Sequence, residues 1–274
     1  MTGQPATTTR LRELAPLYDI FFVDQFGVLH DGVRPYPGAV DALRRLHSER
    51  RKVVILSNSG KRSAANEARL AALGFDPSGW TLFLSSGEVA WKMLEARPAD
   101  ARPQRCLVLS RDADASPIEG LGIAQTASAE DADLVLIAGS EAPQRTLDDY
   151  RGLLSPAAAR GVRALCVNPD VTMLVPGGMA FGSGRIARLY EELGGSVTWI
   201  GKPHPEIYRA AFTLVGSGRA LGIGDSVEHD VVGAKGAGAD AALVLGGIHA
   251  GDDPEPLYAR YGARADHVLA TFAW

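Results

Sequence analysis

The residues best suited to chemistry are carboxylates that directly follow apolar runs of the sequence. Asp24 ends the run Phe21-Phe22-Val23, and Asp225 with Asp230 follows a second apolar run. Carboxylates gathered at one edge of a sheet repel each other unless a cation lies between them, and hard oxygen ligands favour magnesium. These three acids therefore indicate a metal-assisted site. Taken singly, each also fits a surface turn or a helix cap.

Polar groups that could hold an anion follow two other apolar runs. The segment Ser57-Asn58-Ser59-Gly60 lies between a strand and a helix, where free backbone N–H groups and the positive end of the helix favour an anion. The same segment also fits simple helix capping. Lys202 follows another strand and precedes Pro203, where its ammonium could neutralise a phosphate or a carboxylate as a compact point charge.

These groups must be positioned by alternating strands and helices. Apolar runs predict strands over residues 20–28, 53–56, 81–84, 197–200 and 220–223, with helical spacing between them. The first strand is apolar on both faces, as in the centre of a parallel sheet. The pattern predicts an α/β fold with a doubly wound, Rossmann-like parallel sheet, in which ligands bind outside the carboxyl ends of the strands.

The middle third of the chain has strands and helices of its own but no acid of this kind at a strand end. Strands are predicted over residues 105–109, 134–138 and 162–167, and residues 113–168 show no interpretable polar cluster. We therefore expect an inserted α/β domain over residues 81–176, between core segments 1–80 and 177–274. The Gly/Pro-rich residues 175–184 have the composition of an interdomain connection, and Gly182 and Gly184 lack the preceding strand of a dinucleotide-binding fingerprint.

Composition excludes several classes of protein. The chain has 274 residues, 46% of them hydrophobic and 22% charged, with a net charge of −4, so no basic field argues for nucleic acid. No apolar run approaches the length of a membrane helix, and residues 2–9 lack the apolar centre of a secretion signal, so a cytoplasmic location is expected. Cys106 and Cys166 lie in apolar runs and are predicted to be buried, reduced thiols.

Taken in order, these motifs resemble those of the haloacid dehalogenase (HAD) superfamily of hydrolases. Asp24 matches the first motif of that superfamily, Ser57 the second, Lys202 the third, and Asp225 with Asp230 the fourth. The insertion and three short segments resemble the NagD-like class IIA branch, which carries a C2-type cap domain. These segments are Gly27-Val28-Leu29 before Asp31-Gly32, Asn168-Pro169-Asp170, and Gly201-Lys202-Pro203.

The resemblance implies a phosphatase that acts through an aspartyl phosphate. Asp24 would be the nucleophile, and Mg²⁺ would be held by Asp24, the backbone carbonyl of Phe26 and Asp225, with support from Asp230. Ser57 and Lys202 would contact the phosphoryl oxygens, and Asn58 would contact phosphate or substrate. A small phosphorylated metabolite, of the sugar or polyol phosphate kind, is the implied substrate. Caps of this type often lie near dimer contacts, so a homodimer is compatible with the resemblance, whereas nucleic acid and membranes are not expected as partners.

One position departs from the pattern of the family. Phosphatases of this superfamily usually carry a second aspartate two residues after the nucleophile, and this chain has Phe26 there. The missing general acid and base accounts for about 10²- to 10⁴-fold in rate. Three interpretations remain open: a phosphatase that recruits another group or an undemanding leaving group, a non-phosphatase hydrolase of the same superfamily, and a binding or regulatory protein with little turnover. The candidate replacement groups are His30, Asp31, His204 and His229.

Overall fold

The computed structural model describes residues 8–175, 178–246 and 253–274. The chain divides into two compact units. The first comprises Met1–Ser57, Glu67–Leu84 and Lys202–Trp274, and the second comprises Asn58–Asn66 and Ser85–Gly201. Both are α/β units, so the predicted fold class is confirmed.

Strands and helices alternate along most of the chain. The strands are β1 Ile20–Val23, β2 Lys52–Ser57, β3 Leu82–Ser85, β4 Arg105–Leu109, β5 Ala124–Thr126, β6 Leu134–Ile137, β7 Arg163–Cys166, β8 Thr172–Val175, β9 Gly178–Phe181, β10 Ser196–Trp199, β11 Ala220–Gly224, β12 Asp240–Val244 and β13 His267–Leu269. The helices are α1 Leu11–Leu14, α2 Ala39–Ser48, α3 Ser63–Ala72, α4 Ser86–Glu95, α5 Leu147–Ala159, α6 Ser183–Glu192, α7 Pro205–Val215, α8 Val232–Gly236 and α9 Glu255–Tyr261.

A six-stranded sheet organises the first unit. Its strand order is β13-β12-β11-β1-β2-β3, and β1 pairs in parallel with both β2 and β11. The chain leaves β1 toward β2 and later returns to β11 on the other side, so the order of the strands reverses between β1 and β11. All four β1 side chains are buried, as predicted for a strand covered on both faces. The crevice beyond β1 and β11 is the usual ligand position in such a sheet.

A five-stranded parallel sheet organises the second unit. Its order is β10-β7-β6-β4-β5, and its core is formed by side chains from β6 and β7 with Tyr150 and Leu154 of α5 and Tyr190 of α6. Strands β8 and β9 form a separate antiparallel pair. Cys106 and Cys166 are buried and unbonded to each other, which confirms the prediction of reduced core thiols.

The two units differ from the predicted domains, since the second unit includes Asn58–Asn66 and then runs from Ser85 to Gly201 rather than over residues 81–176. Strand β3 belongs to the first sheet, whereas the insertion was predicted to begin at residue 81. Strand β10 pairs in parallel with β7, from Ser196 opposite Arg163 to Trp199 opposite Cys166, although residues 177–274 were predicted as core. Composition cannot reveal this pairing, because α6 and β10 have the same apolar pattern in either sheet. The predicted boundary after residue 176 falls on residues 176 and 177, which lie outside the described residues.

The first strand is shorter than predicted, because it ends at Val23 rather than at residue 28. Gly27 has a left-handed backbone (φ +86°), and the amides of Leu29 and His30 both donate to the Gln25 carbonyl. These bonds turn the chain immediately after Asp24. None of the helices among the described residues is long and apolar enough to span a membrane.

Candidate active site

Asp24 lies at the point where the strand order of the first sheet reverses. It directly follows β1, and its amide donates to the carbonyl of Ile223 in β11 (2.9 Å). This backbone bond extends the parallel pairing of β1 with β11 by one residue. The Asp24 carboxylate is thereby held at the carboxyl end of the sheet, as the sequence predicts.

Lys202 joins two of the predicted acids. Its Nζ lies 2.7 Å from Asp24 Oδ1 and 2.6 Å from Asp230 Oδ1, and only 3% of the residue is exposed. A buried ammonium is tolerated only where carboxylates compensate for its lost hydration. Through these two contacts the residues of the third and fourth motifs, Lys202 and Asp230, lie beside Asp24.

Three carboxylates converge beside this lysine. Asp24, Asp225 and Asp230 each offer an oxygen, and these oxygens lie within 4.8 Å of one another. Asp225 and Asp230 are almost fully buried. Three acid groups at this spacing form the hard oxygen donor set that magnesium prefers. The donor set therefore fits the metal predicted from the sequence.

Two glycines, neither of which was assigned this role from the sequence, make room for the acids. A Cβ on Gly27 would lie 2.0 Å from Asp225 Oδ2, and a Cβ on Gly224 would lie 1.9 Å from Asp230 Cγ. Any side chain at either position would displace a carboxylate. The signal was present in the sequence, since each glycine lies within three residues of a predicted acid.

The segment after β11 holds Asp230 in place. Residues Val227–Val231 form one π-helical turn, and the Ser226 amide donates to Asp230 Oδ2 (3.1 Å). The Ser226 hydroxyl accepts from the His229 amide (3.1 Å), and His229 Nδ1 lies 3.2 Å from the Lys202 carbonyl. One carboxylate oxygen of Asp230 thus faces a backbone donor and the other faces Lys202.

The ionisation of the site follows from burial and this pairing. Burial raises the pKa of Asp24 to about 6, against the opposing effect of Lys202, and Asp230 adds to the rise. Burial alone would lower the pKa of Lys202, but Asp230 and Asp24 outweigh it and raise that pKa well above its ordinary value. Lys202 is therefore a permanent cation. A divalent cation near Asp24 would favour its charged form in the same way.

Ser57 carries a contact that the sequence analysis did not predict. Gln25 Nε2 donates to Ser57 Oγ (2.6 Å), and Ser57 is 3% exposed at the end of β2. A hydroxyl has one proton to donate, so accepting from Gln25 directs the Ser57 proton elsewhere. Asn58, by contrast, belongs to the second unit, where its Nδ2 donates to Asp170 Oδ1 (2.9 Å).

Phe26 stands where phosphatases of the resembled family carry their acid. Its ring is 40% exposed and packs edge-to-face on His30, with 5.9 Å between centroids. The Phe26 carbonyl accepts no hydrogen bond from the described residues, which leaves it open to a ligand. The side chain itself offers no proton.

Two of the predicted replacement groups are poor proton donors. His30 is buried, its Nδ1 accepts from the Gly32 amide (2.9 Å), and burial together with Arg69 lowers its pKa to about 4. Asp31 accepts from the amides of Arg34 and Val33, and these bonds lower the pKa of its exposed carboxyl. At neutral pH Asp31 is ionised and His30 is a neutral imidazole, so neither is an effective general acid for a leaving alkoxide.

Comparisons with known proteins point to one family. A model described as haloacid dehalogenase-like hydrolase matches residues 21–124, and one described as HAD-hydrolase-like matches residues 199–274. The chain is 25% identical over 265 residues to D-glycerol 3-phosphate phosphatase of Mycobacterium tuberculosis, covering 94% of this chain and 73% of that protein. It is 37% identical over 116 residues to dihydroxyacetone phosphatase of Corynebacterium glutamicum, covering 41% of each.

Solved structures share the fold. A haloacid dehalogenase-like hydrolase from Brucella suis is 28% identical with a TM-score of 0.82, over 97% of this chain and 99% of that one. Glycerol phosphate phosphatase from M. tuberculosis, solved with magnesium, is 26% identical with a TM-score of 0.76, over 94% and 77%. NagD from E. coli, at 22% identity and a TM-score of 0.73 over 93% and 96%, is similar in fold.

Proposed function

We propose that this chain is a magnesium-dependent phosphatase. The proposal starts from its membership of the haloacid dehalogenase superfamily, whose NagD-like fold it shares. Its substrate would be a small phosphate monoester of a sugar or polyol. The observation that carries the proposal is the convergence of Asp24, Asp225 and Asp230 at one edge of the sheet, with buried Lys202 in contact with Asp24 and Asp230. The names of the M. tuberculosis and C. glutamicum relatives support the substrate class.

In this proposal Asp24 attacks phosphorus. A bond forms between a carboxylate oxygen and phosphorus while the ester P–O bond breaks, and the leaving alkoxide takes a proton. Water then attacks the aspartyl phosphate, which releases phosphate and restores the carboxylate. Splitting one displacement into two is ordinary covalent catalysis. Lys202, 2.7 Å from Asp24, offsets the charge of both the carboxylate and the phosphoryl group.

The first unit offers ligands for the metal that this chemistry needs. Asp24, Asp225 and the Phe26 carbonyl would hold Mg²⁺, with Asp230 in support. Bound there, Mg²⁺ supplies neutralising charge for the phosphoryl oxygens. Gly27 and Gly224 keep the space around Asp225 and Asp230 open.

Ser57 is assigned to the phosphoryl group as a hydrogen-bond donor. Because Gln25 donates to its oxygen, the hydroxyl proton of Ser57 is directed away from Gln25. A donor fixed in advance stabilises developing charge without reorganisation during the reaction. Asn58 remains assigned as a further phosphate or substrate contact on the resemblance alone.

A second candidate function is a phosphate-ester-binding protein with little turnover, and Phe26 is the observation that favours it. The exposed phenyl ring cannot protonate an alkoxide, and at neutral pH His30 and Asp31 are in their deprotonated forms, which are poor acids. His204 and His229, both in the first unit, remain as candidate replacement proton donors. The three-carboxylate cluster, in turn, favours both of these functions over metal-independent dehalogenation.

A panel of phosphate monoesters separates the two candidates. Purified protein should release phosphate from glycerol phosphate, dihydroxyacetone phosphate and an activated aryl phosphate in the presence of Mg²⁺. The aryl ester should be hydrolysed fastest, because its leaving group needs little protonation, and a chelator should abolish all activity. Calorimetric binding of these esters without release of phosphate from any of them would instead establish the binding protein.

A further inference from the structure

The chain passes from one unit to the other directly beside two residues of the candidate site. Ser57 ends a segment of the first unit, and the next residue, Asn58, belongs to the second unit. Gly201 ends the long segment of the second unit, and Lys202 begins the last segment of the first. The backbone at Ser57 and at Lys202 therefore depends on how the second unit holds the residue that is bonded to each.

Asn58 is held by a carboxylate of the second unit. Its Nδ2 donates to Asp170 Oδ1 (2.9 Å), and the charge of the acceptor strengthens this bond. Both residues are half-buried, so the bond is partly shielded from water. Asn58 and Asp170 are named the anchoring pair below.

Gly201 lies against the same two residues' surroundings. A Cβ on Gly201 would lie 2.9 Å from Asn58 Oδ1 and 2.9 Å from Pro169 Cδ, and its backbone is left-handed (φ +105°). Glycine allows both the close approach and the backbone angle. The residue that follows Ser57 and the residue that precedes Lys202 are therefore adjacent inside the second unit.

Asp170 is fixed by the packing of its own segment on the start of α6. The Gly184 amide donates to the Asp170 carbonyl (3.0 Å), and the Asp170 amide donates to Asn168 Oδ1 (3.1 Å). A Cβ on Gly182 would lie 2.2 Å from the Asp170 carbonyl oxygen, and one on Gly184 would lie 2.1 Å from that of Pro169. So close a contact leaves the segment little room to shift.

The start of the long segment of the second unit packs on the residues that follow Asn58. Ser85 Oγ donates to the Lys61 carbonyl (2.7 Å), and the Gly87 amide donates to the Ser59 carbonyl (3.1 Å). The backbone after Asn58 is therefore fixed by hydrogen bonds as well as by the anchoring pair.

We propose that the anchoring pair positions Ser57 and Lys202 for phosphoryl transfer. Asn58 and Asp170 are then positioning residues, and this role replaces the substrate contact that the resemblance assigns to Asn58. The inference rests on the proposed function, in which Ser57 donates to the phosphoryl group and Lys202 offsets its charge. A misplacement of about 1 Å at such groups costs about 10²-fold in rate.

The two roles of Asn58 predict different kinetics. Loss of a positioning interaction should lower kcat and leave KM nearly unchanged, because the geometry matters most in the transition state. Loss of a contact made equally to substrate and transition state should raise KM and leave kcat unchanged.

Exchange of the two side chains of the anchoring pair tests the proposal. Asn58→Asp places two carboxylates together and should lower kcat toward an activated aryl phosphate about tenfold or more. Asp170→Asn keeps an oxygen acceptor and should cost several-fold or less. The double variant reverses the direction of the bond, since the new amide donates to the new carboxylate, and should recover kcat to within about threefold of the wild type. A double variant no faster than Asn58→Asp would overturn the proposal, because a carboxylate at a substrate contact would still repel the phosphate ester.

Two further variants keep the test independent of the folding of Asn58→Asp. Asp170→Ala removes the acceptor without adding a charge and should lower kcat about tenfold, with KM within about threefold of the wild type. Asp149→Ala is the matched control, because it removes a carboxylate of the same unit that accepts from the Thr146 amide (2.8 Å). Its Tm should fall and its kcat should stay unchanged. Wild-type kcat in Asp170→Ala, or a tenfold rise in KM with kcat retained, would also overturn the positioning role.

Orthovanadate, which mimics the transition state of phosphoryl transfer, gives a readout without turnover. With Mg²⁺ present, its affinity by calorimetry should fall about tenfold in Asp170→Ala and stay near the wild-type value in the exchanged double variant. A chain that hydrolyses no ester but shows this order of affinities contradicts the phosphatase alone. A chain that hydrolyses esters without recovery in the double variant contradicts the positioning role alone. A wild type that neither hydrolyses esters nor binds orthovanadate would contradict both.

Discussion

At the scale of single residues, Lys202 sets the electrostatics of the acidic cluster. It contacts Asp24 and Asp230 at 2.7 and 2.6 Å while almost fully buried. Its charge opposes the rise that burial imposes on the pKa of Asp24. A nucleophilic carboxylate in this position needs that compensation, because an uncompensated buried anion would take up a proton instead.

Gln25 is expected to act on phosphoryl transfer through Ser57. Gln25→Met keeps the shape of the side chain and removes its amide, so the Ser57 hydroxyl loses the donor that orients it. We expect kcat/KM to fall about tenfold in this variant and in Ser57→Ala, since each loses one hydrogen bond. The double variant should be no worse than Ser57→Ala, because both changes remove the same interaction. Multiplicative losses in this cycle would show that Gln25 acts independently of Ser57.

Phe26 limits the proposed reaction, and an acid at this position should relieve the limit. Phe26→Asp places a titratable carboxyl two residues after Asp24, and the exposed ring leaves space for it. We expect kcat toward an alkyl phosphate to rise by about 10²-fold or more, and toward an activated aryl phosphate by much less. Phe26→Asn has the same size without the proton and should give no gain. Equal rates in the Asp and Asn variants would contradict this account.

At the scale of elements, the loop after β1 determines whether the metal ligands fit. Gly27 combines a left-handed backbone with direct apposition to Asp225. Gly74 has a similar backbone (φ +90°), and a Cβ there would have no neighbour within 4 Å. A comparison of alanine variants at these two glycines therefore separates the effect of backbone strain from the effect of displacing the carboxylate.

Alanine at each of these glycines should have different consequences. Gly74→Ala should lose about 1–2 kcal/mol of unfolding free energy, the usual cost of a left-handed alanine, and Gly27→Ala should lose more, because its Cβ also meets the Asp225 carboxylate. Only Gly27→Ala should also weaken Mg²⁺ binding, measured by calorimetry and by the concentration needed for half-maximal activity. A loss of magnesium affinity of the same size in Gly74→Ala would refute the role of Gly27.

Sequence patterns predicted these elements well where they follow from local chemistry. Apolar runs predicted β1, β2 and β11, and the structure places Asp24, Ser57 and Asp225 at the carboxyl ends of these strands, as expected from the sequence. The end of β1 was missed because Gly27 allows the turn while Val28 and Leu29 continue the apolar run. The Gln25 contact was missed because spacing shows which residues end strands, not which side chains meet across them.

At the scale of the whole molecule, the division into two units was predicted and its boundaries were not. The apolar pattern of β10 is compatible with either sheet, and only its pairing with β7 assigns it to the second. The bond between Asn58 and Asp170 was also missed, since it joins residues 112 positions apart in the sequence. The cytoplasmic location and the homodimer stay predictions.

Both thiols of the second unit should be inert in the folded protein. Burial raises the pKa of Cys106 and Cys166 to about 12, so almost no reactive thiolate exists at pH 8. An aromatic disulfide reagent should label neither cysteine of the native chain and both in denaturant. Rapid labelling of one thiol in the native protein would show that its part of the core opens.

The central claim is that Asp24 carries the phosphoryl group between substrate and water. Because Phe26 leaves the second step without its usual base, the aspartyl phosphate should accumulate during turnover of an activated aryl phosphate with Mg²⁺. Acid quenching followed by peptide mass spectrometry should find one phosphoryl group on Asp24, and none in Asp24→Asn, whose turnover should be abolished. Sustained hydrolysis by the Asp24→Asn protein, or a phosphoryl group on another residue, would contradict the claim.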